Sequence, residues 1–183
     1  MTSSPEVQLI RRRYRECFAA DLSPFFPAYM TNTTAGPSTA ALGYARAGVE
    51  PLFLEAYLDV PIETLVGPAL GRPVERPQIV EIGNLAAVSP QAMIALWGAA
   101  ANDLAAFGDI AVATLTAPLR AMFRRIGVPV TEIAEARAER LGATAERWGA
   151  YFDRDPRVCA GVIAEGQHAI AAFLSRNTRR KVA

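Results

Sequence analysis

The chain has 183 residues, 51% of them hydrophobic and 20% charged, which is enough apolar material for one domain with a full core and excludes a disordered chain. Nineteen basic against eighteen acidic residues leave a net charge of +1, so no whole-chain field draws it to nucleic acid or to an anionic membrane. The single domain is expected to span 1–183, with flexible ends over 1–4 and 177–183.

Arg11, Arg12, Arg13 and Arg15 stand where a signal peptide needs its apolar stretch, so a cytoplasmic location is expected. The most apolar segment, 86–107, is interrupted by Gln91, Asn102 and Asp103, which argues against a transmembrane helix. Cys17 and Cys159 are far apart and outside any C-x-x-C, so both are expected as reduced core residues.

Ser4-Pro5-Glu6 reads as a helix start, and Val7, Ile10, Tyr14, Cys17 and Phe18 give that helix one apolar face, ending near Asp21. Ser23-Pro24-Phe25-Phe26-Pro27 forces a turn. Thr31 to Ser38, with Gly36 and Pro37, reads as a hairpin loop between weak strands, the second over Thr39–Ala47. Pro51, Pro61 and Pro68 divide the helical pattern of 50–70 into short pieces. Gln78–Val88 is the clearest strand, apolar on both faces and broken at Gly83, where a bulge or close backbone approach is expected.

Ser89-Pro90 caps an amphipathic helix carrying Met93, Leu96, Ala100, Leu104 and Phe107 and closed by Gly108. Ile110–Leu115 is a further strand, Thr116 caps a helix ended by Gly127, and Val128–Ile133 is the next strand. This strand-helix-strand-helix-strand run predicts helices packed on a largely parallel central sheet with right-handed crossovers, an α/β class. The last segment reads either as a strand over 157–163 followed by a helix, or as one helix from Pro156 onward.

Three blocks carry a resemblance. Phe53-Leu54-Glu55-Ala56-Tyr57-Leu58-Asp59 with Pro61-Ile62-Glu63 resembles the thermostable hemolysin family of bacterial proteins. So does Arg76 with Ile79-Val80-Glu81-Ile82-Gly83-Asn84-Leu85-Ala86, and so does Trp148-Gly149-Ala150-Tyr151-Phe152-Asp153 with Asp155-Pro156-Arg157-Val158. The similarity spans residues 10–161, and the element order between the blocks is similar to the GNAT acyltransferase fold, including the acyl-homoserine lactone synthases. It implies a mixed sheet, largely parallel at its centre and flanked by helices, with an acyl-donor cleft.

The resemblance places the pantetheine arm of an acyl thioester between the strand 78–88 and the strand 110–115, with Leu85, Ala86, Ala87, Val88 and Gln91 as its binding residues. In place of the usual Q-x-x-G-x-G/A loop stands Ala86-Ala87-Val88-Ser89-Pro90-Gln91, without a glycine to approach a pyrophosphate and with one N–H removed by Pro90. The expected donor is therefore an acyl carrier protein in preference to coenzyme A, the acceptor a small-molecule amine, and the setting specialised metabolism.

Glu81, on an apolar central strand, is the candidate base, against a reading in which it pairs with Arg76, Arg46 or Arg120 and only holds the sheet. Asn84 would orient the amine or a water, or else cap a strand bulge. Tyr151 would protonate the leaving thiolate, or else only pack. Glu55, Asp59, Arg76 and Asp153 are candidate acceptor-binding residues, with a solvated acidic face as the alternative for Glu55 and Asp59. Arg11-Arg12-Arg13 and Arg179-Arg180-Lys181 could meet an acidic carrier protein. His168 has no partner pattern for nucleophilic catalysis, and no metal cluster, Walker loop or dinucleotide fingerprint is present. Two other functions stay open: a membrane-active hemolysin-like protein, and a binding protein on the same fold without catalysis.

Overall fold

The computed structural model describes residues 4–32 and 38–182, the side chains as far as residue 177. The loop residues 33–37, the terminal residues 1–3 and 183, and the side chains of Arg179-Arg180-Lys181 lie outside this description. In chain order the helices are α1 (Pro5–Phe18), α2 (Ile62–Leu70), α3 (Pro90–Leu104), α4 (Ala117–Ile126) and α5 (Ile163–Val182). The strands are β1 (Ala28–Thr31), β2 (Ala40–Arg46), β3 (Ile79–Ala87), β4 (Ile110–Leu115), β5 (Thr131–Glu135) and β6 (Arg157–Val162). A 3-10 turn covers Phe53–Tyr57, and a longer run of 3-10 turns, kinked at Gly142 and Gly149, covers Ala138–Arg154.

The six strands form one sheet in the order β1-β2-β3-β4-β6-β5. Only β3 and β4 are parallel; the other four pairings are antiparallel, so the expected largely parallel centre reduces to this one pair. The physical reason lies after α4. The next strand was read as a crossover strand beside β4, but β6, reached through the long 3-10 run, takes that place antiparallel and pushes β5 to the edge. Of the two readings of the last segment, the strand followed by a helix is the one formed.

Both predicted proline starts hold: Pro5 opens α1 and Pro90 opens α3. α3 stops at Leu104, four residues before Gly108, whose missing Cβ instead leaves room for the Gln78 carbonyl. α3, α4 and α5 cover one face of the sheet, packing Leu96, Trp97, Phe123 and Ile170 against Leu42, Val80 and Leu115. α1, α2 and the two 3-10 segments cover the other.

Strand alternation assigns the faces. Val80 joins the α3–α5 side, whereas Ile79 and Glu81 turn toward the 3-10 segments. At Gly83 the alternation breaks. Between the pairs Gly43↔Gly83 and Ala41↔Ala86, Leu42 faces two residues, Asn84 and Leu85, which is a β-bulge. Asn84 takes the left-handed conformation there, with φ of 49°. Gly43 and Gly83 are required by Phe26, whose ring lies across both; a Cβ at either would come within 2.7 Å of it.

Candidate active site

The bulge opens a cleft. β3 and β4 pair residue for residue from Ile79↔Ile110 to Ile82↔Ala113 and no further. β4 runs on alongside β6 through Thr114↔Val158 and Leu115↔Arg157, while β3 runs on alongside β2 through Ala86↔Ala41 and Ala87↔Ala40. Past Ile82 the facing edges of β3 and β4 are therefore parted, and a cavity of about 540 Å³ occupies the gap. Its walls come from α1, β3, the start of α3, the end of β4, α4, the Phe53–Tyr57 turn and the 3-10 run.

Glu81 is the buried carboxyl of this cavity, 2% exposed. Its Oε2 accepts the Phe53 N–H at 2.7 Å and its Oε1 the Leu54 N–H at 3.1 Å. Burial pushes its pKa to about 8, against the pull of those two N–H groups and with a further upward push from the Glu55 charge. Among the described residues no arginine pairs with it: Arg76 is tied to Glu55 and Glu63, Arg120 to Asp155 and Glu132, and Arg46 lies over the Phe107 ring.

Three phenols surround this end. Tyr14, Tyr57 and Tyr151 line the cavity, and burial raises the pKa of each, so they remain protonated donors at neutral pH. Tyr151 donates to the Thr114 carbonyl at 3.3 Å, on the β4 side of the cleft. It also packs edge-on against Phe18 and close to Trp148, so it is both a packing residue and a polar one.

Several buried polar atoms at the cavity have no hydrogen-bond partner: the Tyr57 hydroxyl, the Thr114 hydroxyl and both amide atoms of Asn84. The Asn84 amide lies toward Tyr14 and offsets part of the burial effect on that phenol, yet it does not close a hydrogen bond within geometric limits. It sits in the bulge but does not cap it. Unpaired buried donors and acceptors cost about 1–3 kcal/mol each, so their concentration at one cavity leaves groups there for water or a bound molecule to satisfy.

Leu85, Ala86, Ala87 and Val88 line the cavity along the parted edge of β3; Gln91 is exposed on α3 and does not. At the start of α3 the Ser89 hydroxyl accepts the Ala92 N–H at 3.2 Å, and Pro90 has none to give. The helix N-terminus is thus partly satisfied by its own cap.

Glu55, Asp59, Arg76 and Asp153 are absent from the cavity walls. Arg76 binds Glu55 and Glu63, Asp59 binds Arg140, and Asp153 is exposed, with its neighbour Arg154 facing the cavity instead. Cys159 is buried as expected, its thiol pushed to about 12 by desolvation, but Cys17 is exposed and lines the cavity. The reason is position: α1 turns Ile10 and Tyr14 inward, and Cys17 comes one turn beyond Tyr14 at the cavity rim. His168 is exposed on α5.

Tyr14 and Tyr57 were missed by the sequence reading because each looks like an ordinary apolar position, in a helical stripe and in a short turn. Only the fold shows that both side chains line the same cavity as Glu81 and Asn84.

No helix among the described residues is long and apolar enough to cross a membrane. Solved structures of the same fold include the acyl-homoserine lactone synthase LasI, 16% identical with a TM-score of 0.62 over 91% of this chain and 85% of that one. FeeM, an N-acyl amino acid synthase from uncultured soil microbes, is 12% identical with a TM-score of 0.59 over 90% and 92%. MesI, a CoA-dependent acyl-homoserine lactone synthase, is 16% identical with a TM-score of 0.53 over 91% and 86%. No curated protein matches by sequence. The thermostable hemolysin family model matches residues 3–167, nearly the whole sequence, and the chain belongs to that family.

Proposed function

We propose that the protein is an N-acyltransferase that moves an acyl group from a pantetheine thioester to the amine of a small molecule. The observation that carries this reading is the buried carboxyl of Glu81, held by two backbone N–H groups and by no arginine among the described residues, in a cavity formed where β3 and β4 part. The parted edges supply backbone groups for the amides of a pantetheine arm, and the cavity between them has room for the thioester.

In the transfer, the amine nitrogen attacks the thioester carbonyl, the C–N bond forms and the C–S bond breaks. The proton lost by nitrogen goes to Glu81, whose pKa near 8 leaves roughly a tenth of molecules ionised at pH 7 and more as pH rises. Tyr151, held protonated by burial, supplies the proton that the departing thiolate takes up and regains one from Glu81 by way of solvent, so that amide and free thiol are the products and both side chains return to their starting states; Asn84 orients the amine with its unpaired amide. Leu85, Ala86, Ala87 and Val88 line the arm. Arg154 and the rim of α1 are left to meet the rest of the substrates.

A carrier-protein donor is preferred over coenzyme A because the α3 start offers little to a pyrophosphate. Arg11-Arg12-Arg13 on α1, beside the cavity rim, would face the acidic surface of such a carrier. The structural likeness includes a CoA-dependent synthase, so donor choice is a question for experiment. Incubation with acyl carrier proteins, acyl coenzyme A species and an amine library, read by intact and small-molecule mass spectrometry, should show transfer. Inactivity with both donor types, with each donor's integrity controlled, would overturn the reading.

A further inference from the structure

The ion cluster outside the cavity is built around one guanidinium. Arg76 Nη1 donates to Glu55 Oε1 at 2.6 Å and to Glu63 Oε2 at 3.0 Å, and Nη2 donates to Glu55 Oε2 at 2.8 Å. Nε donates to the Ala47 carbonyl at 2.9 Å, just past β2, where the Ala47 N–H in turn donates to the Ile79 carbonyl of β3. Glu55 Oε1 also accepts the Ile62 N–H at 3.1 Å. Side-chain exposures of 23–30% put the cluster at the edge of the protein, where an ion pair by itself contributes at most about 1 kcal/mol. What a forked Arg–carboxylate contact gives at such a place is geometry.

That geometry leads to Glu81. Glu55 belongs to the Phe53–Tyr57 turn, and the two residues just before it, Phe53 and Leu54, are the ones whose N–H groups hold the Glu81 carboxyl. Arg76 therefore clamps this turn to the β2–β3 pair that carries Glu81 opposite Ala45.

We infer that Arg76 and Glu55 are positioning residues for Glu81: their clamp holds the Phe53–Tyr57 turn so that two of its N–H groups fix the Glu81 carboxyl at the cavity wall. The inference rests on the proposed function only for what the carboxyl then does, not for how it is held.

The groups around Glu81 can be named element by element. The turn presents the Phe53 and Leu54 N–H groups, the Glu55 charge and the Tyr57 phenol; α1 presents Tyr14, the 3-10 run Tyr151, and β3 itself Asn84. β2 and β4 present only Ala45 and Val112 in register. Loosening the turn removes the two N–H donors, and loss of Arg76 leaves the Glu55 charge uncompensated; both raise the affinity of Glu81 for its proton, while water admitted past a loosened turn relieves the burial that is the largest cause of its raised pKa and lowers it. Either way the midpoint moves when the clamp is lost.

The test is a carboxyl titration by NMR on the resting protein with ¹³C-labelled glutamate, the Glu81 signal identified by its loss in Glu81→Gln. Arg76→Gln and Arg76→Lys should each move the Glu81 midpoint by at least one pH unit, a tenfold change in proton affinity, upward where the lost N–H donors dominate and downward where water enters. The lysine variant separates position from charge, because it keeps the charge and lacks the fork. If it titrates as the wild type does, the inference is overturned. Should Arg76→Gln fail to fold, the lysine variant decides, because it keeps the charge and loses only the clamp. Glu63→Gln, outside the turn, should leave the midpoint in place.

The pH dependence of kcat/KM for the amine then distinguishes the two readings. A rate limb that follows the NMR midpoint, with KM for the acyl donor unchanged, supports both. A moved midpoint with an unmoved limb keeps the positioning and removes Glu81 as base. An unmoved midpoint overturns the positioning whatever the rates do.

Discussion

The two faces of the sheet are built to different rules. Behind it, α3, α4 and α5 enclose an apolar layer in which Trp97 stacks on Phe123 with ring centroids 4.0 Å apart, beside a small cavity of about 90 Å³ lined by apolar residues and Cys159. In front, among the described residues, all three buried polar side chains, Glu81, Asn84 and Thr116, line the large cleft, next to a left-handed asparagine and hydroxyls without partners. The first face is apolar apart from the Trp97 indole N–H, which is buried without a partner; the second gathers four such atoms, on Tyr57, Asn84 and Thr114, together with a left-handed asparagine that the rest of the fold must offset. That division predicts that damage behind the sheet will appear as lost stability, and damage in front as lost chemistry.

The largest effect should come from the back. Trp97 is 3% exposed and stacked on Phe123, so Trp97→Ala should remove about 3–5 kcal/mol from unfolding, because the neighbouring space cannot close over a missing indole. Chemical denaturation measures it. Activity per folded molecule should change far less. A variant that kept its stability but lost transfer would show that the back layer takes part in the chemistry and would erase the contrast.

Glu81→Gln is the counterpart in front. It should lower kcat/KM by roughly 10²–10³, equivalent to about 3–4 kcal/mol of transition-state stabilisation, and abolish the rise in rate toward about pH 8 expected of the wild type. The ionisation of the amine itself remains in both proteins. Stability should move the other way. The folded Glu81 holds its proton more tightly than the unfolded chain, whose glutamate titrates near 4.5. Below that pH both states are protonated and no difference arises. Between about 4.5 and about 8 only the unfolded chain gives up the proton, so this group's contribution to stability falls with rising pH, by up to about 1.4 kcal/mol per unit. Thermal melts of the two proteins from pH 5 to pH 8 should therefore converge or cross in favour of the variant; parallel curves would mean that Glu81 titrates normally.

The back layer was the more legible of the two in the sequence, because it is made of periodic patterns: Met93, Leu96, Ala100 and Leu104 all face inward as their spacing requires. The parallel β3–β4 pair was legible too, but not the antiparallel return of β6, since nothing local in Arg157–Val162 states which neighbour or direction that strand will take. In front, the break at Gly83 was visible as a bulge, and Glu81 stood out as a charge on an apolar strand. Its partners were not visible. Arg76 lies five residues away in sequence and looked like a partner for Glu81, whereas the chain brings Glu55 back to it across 21 residues. Tyr14 and Tyr57 were hidden because a tyrosine in an apolar stripe gives no sign of where its hydroxyl will end.

Donor choice tests the mouth of the front face, and the expected effect is the smallest. The α3 N-terminus has its Ala92 N–H occupied by the Ser89 hydroxyl and lacks one at Pro90, so a pyrophosphate placed there would find fewer donors than a helix start normally offers. A carrier-bound donor has no such group and can add protein contacts instead. The same acyl group should then react with a kcat/KM about tenfold higher on a carrier protein than on coenzyme A, close to 1.4 kcal/mol. Charge reversal at Arg11 and Arg12, both exposed on α1, should lower only the carrier reaction, and the loss should shrink as salt is raised. Ser89→Ala frees the Ala92 N–H and separates the two explanations: if it improves the coenzyme A reaction without touching the carrier reaction, the cap sets the preference. Equal rates with both donors in the wild type would show that the closed helix start costs the enzyme nothing, and the preference would have to be abandoned.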